Sequence, residues 1–119
     1  MFEQYDDHTF EFVYVTFPNL TEATRVAQDV IANNLAACVN IIPGVLSIFR
    51  DGDSIQKKPE AIFVAKTRAE IRSILQEYII ANHPYAVPSL VVLPIRDGHP
   101  DFFEWIIQKT GDASIKESN

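Results

Sequence analysis

Leu35-Ala36-Ala37-Cys38-Val39-Asn40-Ile41-Ile42-Pro43-Gly44-Val45-Leu46-Ser47-Ile48-Phe49-Arg50 is a long apolar run rich in β-branched residues, broken once by Pro43-Gly44. It runs into Asp51-Gly52-Asp53, a tight-turn signal, and a second strand-like stretch follows. The pattern predicts a hairpin with long arms. At about 3.3 Å per residue, sixteen extended residues span roughly 50 Å. A compact domain of this length has a radius of gyration of about 13–14 Å. The arm must therefore bend at Pro43-Gly44 and also protrude, and a protruding strand seeks a partner. Self-association is the first functional expectation.

The composition frames that expectation. The 119 residues are 47% hydrophobic and 22% charged, which predicts one globular domain over 1–119 with its core at about 10–109. Residues 1–9 read as a flexible lead-in and 111–119 as a flexible polar tail. No apolar run reaches the ~20 residues of a membrane span, since Asn40, Pro43 and Ser47 interrupt the best one. The first residues are acidic, unlike a secretory leader, so the expected compartment is the cytoplasm. A net charge of −6 repels phosphate backbones and argues against a nucleic-acid partner. One cysteine excludes an intramolecular disulfide and any Cys-x-x-Cys motif.

Outward from the hairpin, the element order is legible. Phe10–Phe17 reads as a strand of aromatic and β-branched residues. Asn19 or Thr21 can cap a helix over about 22–35, whose apolar stripe is Ala23, Val26, Ala27, Val30, Ile31 and Leu35. The return arm covers about 54–67, with Pro59 demanding a bulge or an edge position. A second helix covers about 68–82, with Ile71, Ile74, Leu75, Tyr78 and Ile79 inward, and stops before His83-Pro84. A fourth strand covers about 87–95 and a short helix 101–109. The order β-α-β-β-α-β plus a short helix is that of an α+β, ferredoxin-like split βαβ sandwich. Both main helices would lie on one sheet face. The other face carries too many apolar side chains to stay wet, which again predicts self-association.

Several local patterns combine: Leu35-Ala36-Ala37-Cys38-Val39-Asn40, Pro43-Gly44, Ser47-Ile48-Phe49-Arg50, Lys66-Thr67, His83-Pro84-Tyr85-x-Val87-Pro88, and Asp101-Phe102-x-x-Trp105. Together they resemble the CutA family of divalent-cation-tolerance proteins over about residues 10–109. The resemblance implies a tight homotrimer with hairpins pairing between subunits, and a role in tolerance of copper and other divalent cations. It also implies an alternative role, as a trimeric signalling or small-ligand-binding protein like the PII proteins. The chain departs from the family pattern at Asp51, where many relatives have Trp, and at Ala86 and Ser89, where many have Glu. One copper site proposed in the family uses a Cys and two consecutive His. Those positions are Val15, Asn82 and His83 here, so only His83 keeps a ligand type.

The candidate chemistry has a plain and a functional reading at each position. Cys38 is either a small buried strand residue or a soft copper ligand at a subunit cleft. His83 is either a helix C-terminal histidine or an imidazole ligand for copper or zinc. Lys66, Arg50 and Tyr85 are ordinary surface and packing residues, or a cleft for a small anion or carboxylate if they meet across a subunit boundary. Phe102, Phe103 and Trp105 read as packing. Asp97, Asp101 and Glu104 read as a solvated face that can hold a hard cation weakly. No phosphate loop or catalytic signature is present, so the expectation is a protein that is not an enzyme. It requires no cofactor and binds copper or another divalent cation weakly, between subunits.

Overall fold

Alternation decides the centre of the sheet. In Phe10–Phe17 (β1), Val13, Val15 and Phe17 are fully buried, while Phe12, Tyr14 and Thr16 between them are only half-buried. The computed structural model describes residues 5–113. The remaining elements are α1 (Leu20–Ala32), β2 (Cys38–Asp51), β3 (Ser54–Arg68), α2 (Ala69–Asn82), β4 (Leu90–Ile95) and α3 (Pro100–Lys109). The four strands form one antiparallel sheet in the order β2-β3-β1-β4. This is the ferredoxin-like arrangement expected from the element order.

The core lies between the sheet and α1 and α2. Val13, Val15, Phe17, Ala61, Phe63 and Ala65 meet Ala23, Val26, Val30, Leu75 and Ile79. Glu11, on the same face, is held by Arg72 of α2 at 3.0 Å. On the opposite face α3 covers one end only, where Phe103 stacks on Phe10 with centroids 4.3 Å apart.

The hairpin ladder is interrupted where the Pro-Gly break falls. The β2–β3 register slips between Ile42 and Val45, and Gly44 takes φ +75°. A positive φ is steric strain for residues with a Cβ and free for glycine. Beyond this point β1 no longer flanks β3, because their pairing ends at Phe17 opposite Ala61. The distal arm is a two-stranded ribbon in which Pro59, opposite Leu46, occupies an edge position rather than a bulge. Gly52 closes the ribbon with φ +62°, while Asp53 has no positive φ, the sign pattern of a II′ turn. The projecting arm lifts the radius of gyration to 15.5 Å.

Three boundaries differ from expectation. Helix α1 starts at Leu20, since Asn19 rather than Thr21 caps it by accepting from the Glu22 amide at 2.9 Å. It ends at Ala32, not Leu35. Asn34 adopts φ 58°, and the amides of Asn34 and Leu35 return to the carbonyls of Ile31 and Val30. This is a Schellman motif, in which a left-handed residue terminates the helix and its apolar successor folds inward. Leu35 and Ala36 are therefore buried linker residues, and the strand begins at Cys38. Strand β4 begins at Leu90, not Val87, because Leu90 opposite Val15 is the end of its pairing with β1.

Candidate functional site

The segment 83–89 between α2 and β4 is pinned at three points. His83 is 9% exposed and its ring stacks on Phe17, centroids 4.3 Å apart. Its Nε2 lies 2.8 Å from the Thr16 carbonyl oxygen, and its Nδ1 accepts the Tyr85 amide at 3.0 Å. A carbonyl only accepts and a backbone amide only donates, so the ring is neutral with its proton on Nε2. The hydroxyls of Thr16 and Ser89 are 2.6 Å apart and hold the far end. Between them Val87 is 86% exposed.

Tyr85 is the middle pin. Its hydroxyl donates to Glu60 Oε2 at 2.7 Å, and the Lys58 ammonium lies 4.0 Å from its ring centroid. Glu60 is 8% exposed, a carboxylate buried at the base of the hairpin arm. Burial raises the Tyr85 hydroxyl above its ordinary range. The Lys58 contact opposes that rise, and the Glu60 carboxylate reinforces it. Sequence reasoning missed Glu60 and Lys58. The available signal was a lone Glu placed after Pro59, just before a fully apolar half-strand.

Cys38 and Lys66 lie elsewhere. They are cross-strand partners on the sheet face away from the helices, level with Phe12. Cys38 is half-buried on the edge strand. The Lys66 ammonium sits 5.5 Å from the Phe102 ring centroid. His83 is on the helix face at the level of Thr16, so the chain does not bring Cys38 and His83 together. Arg50 is exposed near the hairpin tip, opposite Ile55. Eleven residues of strand separate that level from Lys66, roughly 36 Å. Tyr85 reaches β3 at Glu60, between the two. Within one protomer the three predicted cleft residues are spread along the whole of β3.

Among the described residues, no three His, Cys, Asp or Glu side chains are gathered as a metal cluster. A metal at His83 would have to displace the Thr16 or the Tyr85 contact. The single-chain donor set thus does not fit a resident ion. Phe103 packs as expected, and Phe102 stacks on Trp105 with centroids 5.7 Å apart. Asp101 is exposed in the first turn of α3, where its amide is capped by His99 Nδ1 at 3.1 Å. Glu104 accepts the Tyr5 hydroxyl. No helix of the described residues is long and apolar enough to cross a membrane.

Beyond the α3 end, the sheet face opposite the helices is left uncovered. Val91 and Leu93 of β4 are 52% and 45% exposed, and Ile42 is also exposed. Their cross-strand neighbours Tyr14, Phe12 and Ile62 are half-buried. The hairpin ribbon adds Leu46, Ile48 and Ile55 on one face of its own.

Comparison with known proteins agrees with this architecture. The sequence model of the family described as CutA1 divalent ion tolerance protein matches residues 11–109. The divalent-cation tolerance protein CutA of Thermus thermophilus is 37% identical over 101 residues, 85% of this chain and 98% of that one. A rice chloroplastic CutA 1 is 39% identical over 101 residues, which are 85% of this chain and 57% of the rice protein. The chain thus spans little more than half the length of the plant relatives it matches. The crystal structure of CutA1 from Oryza sativa superposes with a TM-score of 0.83 at 38% identity, covering 86% of this chain and 94% of that one. The periplasmic divalent cation tolerance protein CutA of Archaeoglobus fulgidus superposes at 0.81 with 35% identity, covering 85% and 98%. With the family pattern matched over nearly all of the described residues, and the fold shared with its solved members, this chain belongs to the CutA1 divalent ion tolerance protein family.

Proposed function

We propose that the protein serves divalent-ion tolerance as a homotrimer, with weak metal binding between subunits rather than within one. The observation that carries this reading is the apolar sheet face, open at Val91, Leu93 and Ile42 and continued by the exposed ribbon. A face of this kind is stable only when covered, and edge strands such as β2 invite pairing. Family membership supplies the divalent-ion role. The Cys38 thiol, half-buried at the edge strand, is the soft donor that a neighbouring subunit can complete. The protein is not an enzyme in this reading, and its expected compartment is the cytoplasm. The relatives themselves are named for more than one compartment.

The test is calorimetric titration of the full chain with copper and zinc, with mass by light scattering on the same samples. The reading expects a trimer that binds at a simple ratio to the assembly and loses affinity on Cys38→Ser. A trimer that binds neither ion would overturn the metal role.

A second reading rests on Lys66. Its ammonium faces the open side of the sheet over Phe102, and no carboxylate pairs with it among the described residues. A small anionic ligand in an intersubunit cleft, as in PII-like proteins, would suit it. A ligand-dependent rise in thermal stability that is lost on Lys66→Ala would favour this reading.

A further inference from the structure

His83 is the residue whose type points most directly to metal, and its surroundings point elsewhere. Both ring nitrogens are engaged by the backbone, Nε2 with the Thr16 carbonyl and Nδ1 with the Tyr85 amide. The ring is buried and stacked on Phe17. Cys38 is on the other sheet face, four residues of register away, and His83 belongs to no group of three or more His, Cys, Asp or Glu side chains among the described residues. A ligating histidine offers one nitrogen lone pair to the ion and uses the other nitrogen as a donor. Here the lone pair on Nδ1 is already spent on Tyr85.

We infer that His83 is a positioning residue and not a metal ligand: it orients Tyr85 onto Glu60 and so fastens the 83–89 segment to the base of the hairpin arm. The chain of contacts is continuous. Thr16 accepts the His83 Nε2–H hydrogen bond through its carbonyl and meets Ser89 through its hydroxyl, so one β1 residue holds both ends of the segment. His83 fixes the Tyr85 backbone, and its ring lies 5.1 Å from the Tyr85 ring. Tyr85 then bonds Glu60 and lies under Lys58, both of the return arm. Two elements distant in sequence, the α2–β4 connection and the hairpin, are coupled through one imidazole. The result is a fixed apex at Val87 for whatever the assembled protein meets there.

The ligand half of this inference rests on the divalent-ion reading above; the positioning half does not. The test combines imidazole 15N spectra of the full chain, before and after zinc chloride, with amide exchange at Tyr85. The expected spectrum is a neutral ring protonated at Nε2, unchanged by zinc even where calorimetry shows zinc bound. Losing the hydrogen bond to Nδ1 in His83→Ala should lower Tyr85 amide protection about tenfold, a single bond's worth. His83→Asn, which keeps an acceptor near Nδ1, should restore most of it, with zinc affinity unchanged in both variants. A zinc-induced shift of either His83 nitrogen would overturn the inference. So would a ring protonated at Nδ1, or a failure of Asn to restore protection where Ala lowers it. Should His83→Ala not fold, the wild-type spectra and His83→Asn decide alone. If the protein binds neither zinc nor copper, the divalent-ion reading fails while the tautomer and the Tyr85 amide still judge the positioning role.

Discussion

Thr67 shows how one side chain ties the linker to the sheet. It is fully buried, and its hydroxyl donates to the Leu35 carbonyl at 2.8 Å. Thr67→Val keeps the shape and strands that carbonyl, so chemical denaturation should show a loss of about 1–3 kcal/mol. Tyr85 makes a pH prediction. Burial first, and Glu60 with it, raises its hydroxyl above the ordinary value against the opposing Lys58 contact. A raised acid binds its proton more tightly in the fold than in the unfolded chain. The stability it contributes is complete below the unfolded value of about 10 and is lost as pH climbs above that. Thermal melts from pH 8 to 11 should show an alkaline decline that is shallower in Tyr85→Phe. These residues also mark a limit of sequence reading. Tyr85 and His83 could be named from the sequence, but Glu60, Lys58 and Thr16 could not be joined to them. The contacts span 25 and 67 residues and exist only once the sheet has formed.

Elements were far more legible than contacts, because local chemistry decides them. The β1 alternation, the apolar stripes of α1 and α2, and the Asp51-Gly52-Asp53 turn all read directly from residue type. The misplaced end of α1 is instructive. Ile31 and Leu35 continue the helical stripe, yet Asn34 leaves the helix through the left-handed region and turns Leu35 inward by another route. Periodicity counts where apolar residues fall and is blind to a single residue changing hand. At the other end of α1, Asn19 satisfies the free Glu22 amide. Asn19→Ala should cost about 1 kcal/mol by denaturant unfolding, with the sheet unchanged.

The molecule as a whole is half a structure. One sheet face is sealed by α1 and α2 and the other only at the α3 end, where Phe10, Phe103 and Ile106 cluster. The length of the hairpin and the surplus of apolar residues announced an unfinished surface from sequence alone. They could not show which residues stay open, since that depends on strand order and on where α3 lands. Val91 and Leu93, on the edge strand β4, emerge as open positions on it. Charge placed there should oppose association with little effect on the sealed core. Leu93→Asp should therefore lower the mass in solution while far-ultraviolet circular dichroism keeps its α+β shape. The most direct measurement is the mass of the unaltered full chain by light scattering at micromolar concentration. The account predicts three times the 13.5 kDa chain mass, and a particle of 13.5 kDa would contradict it.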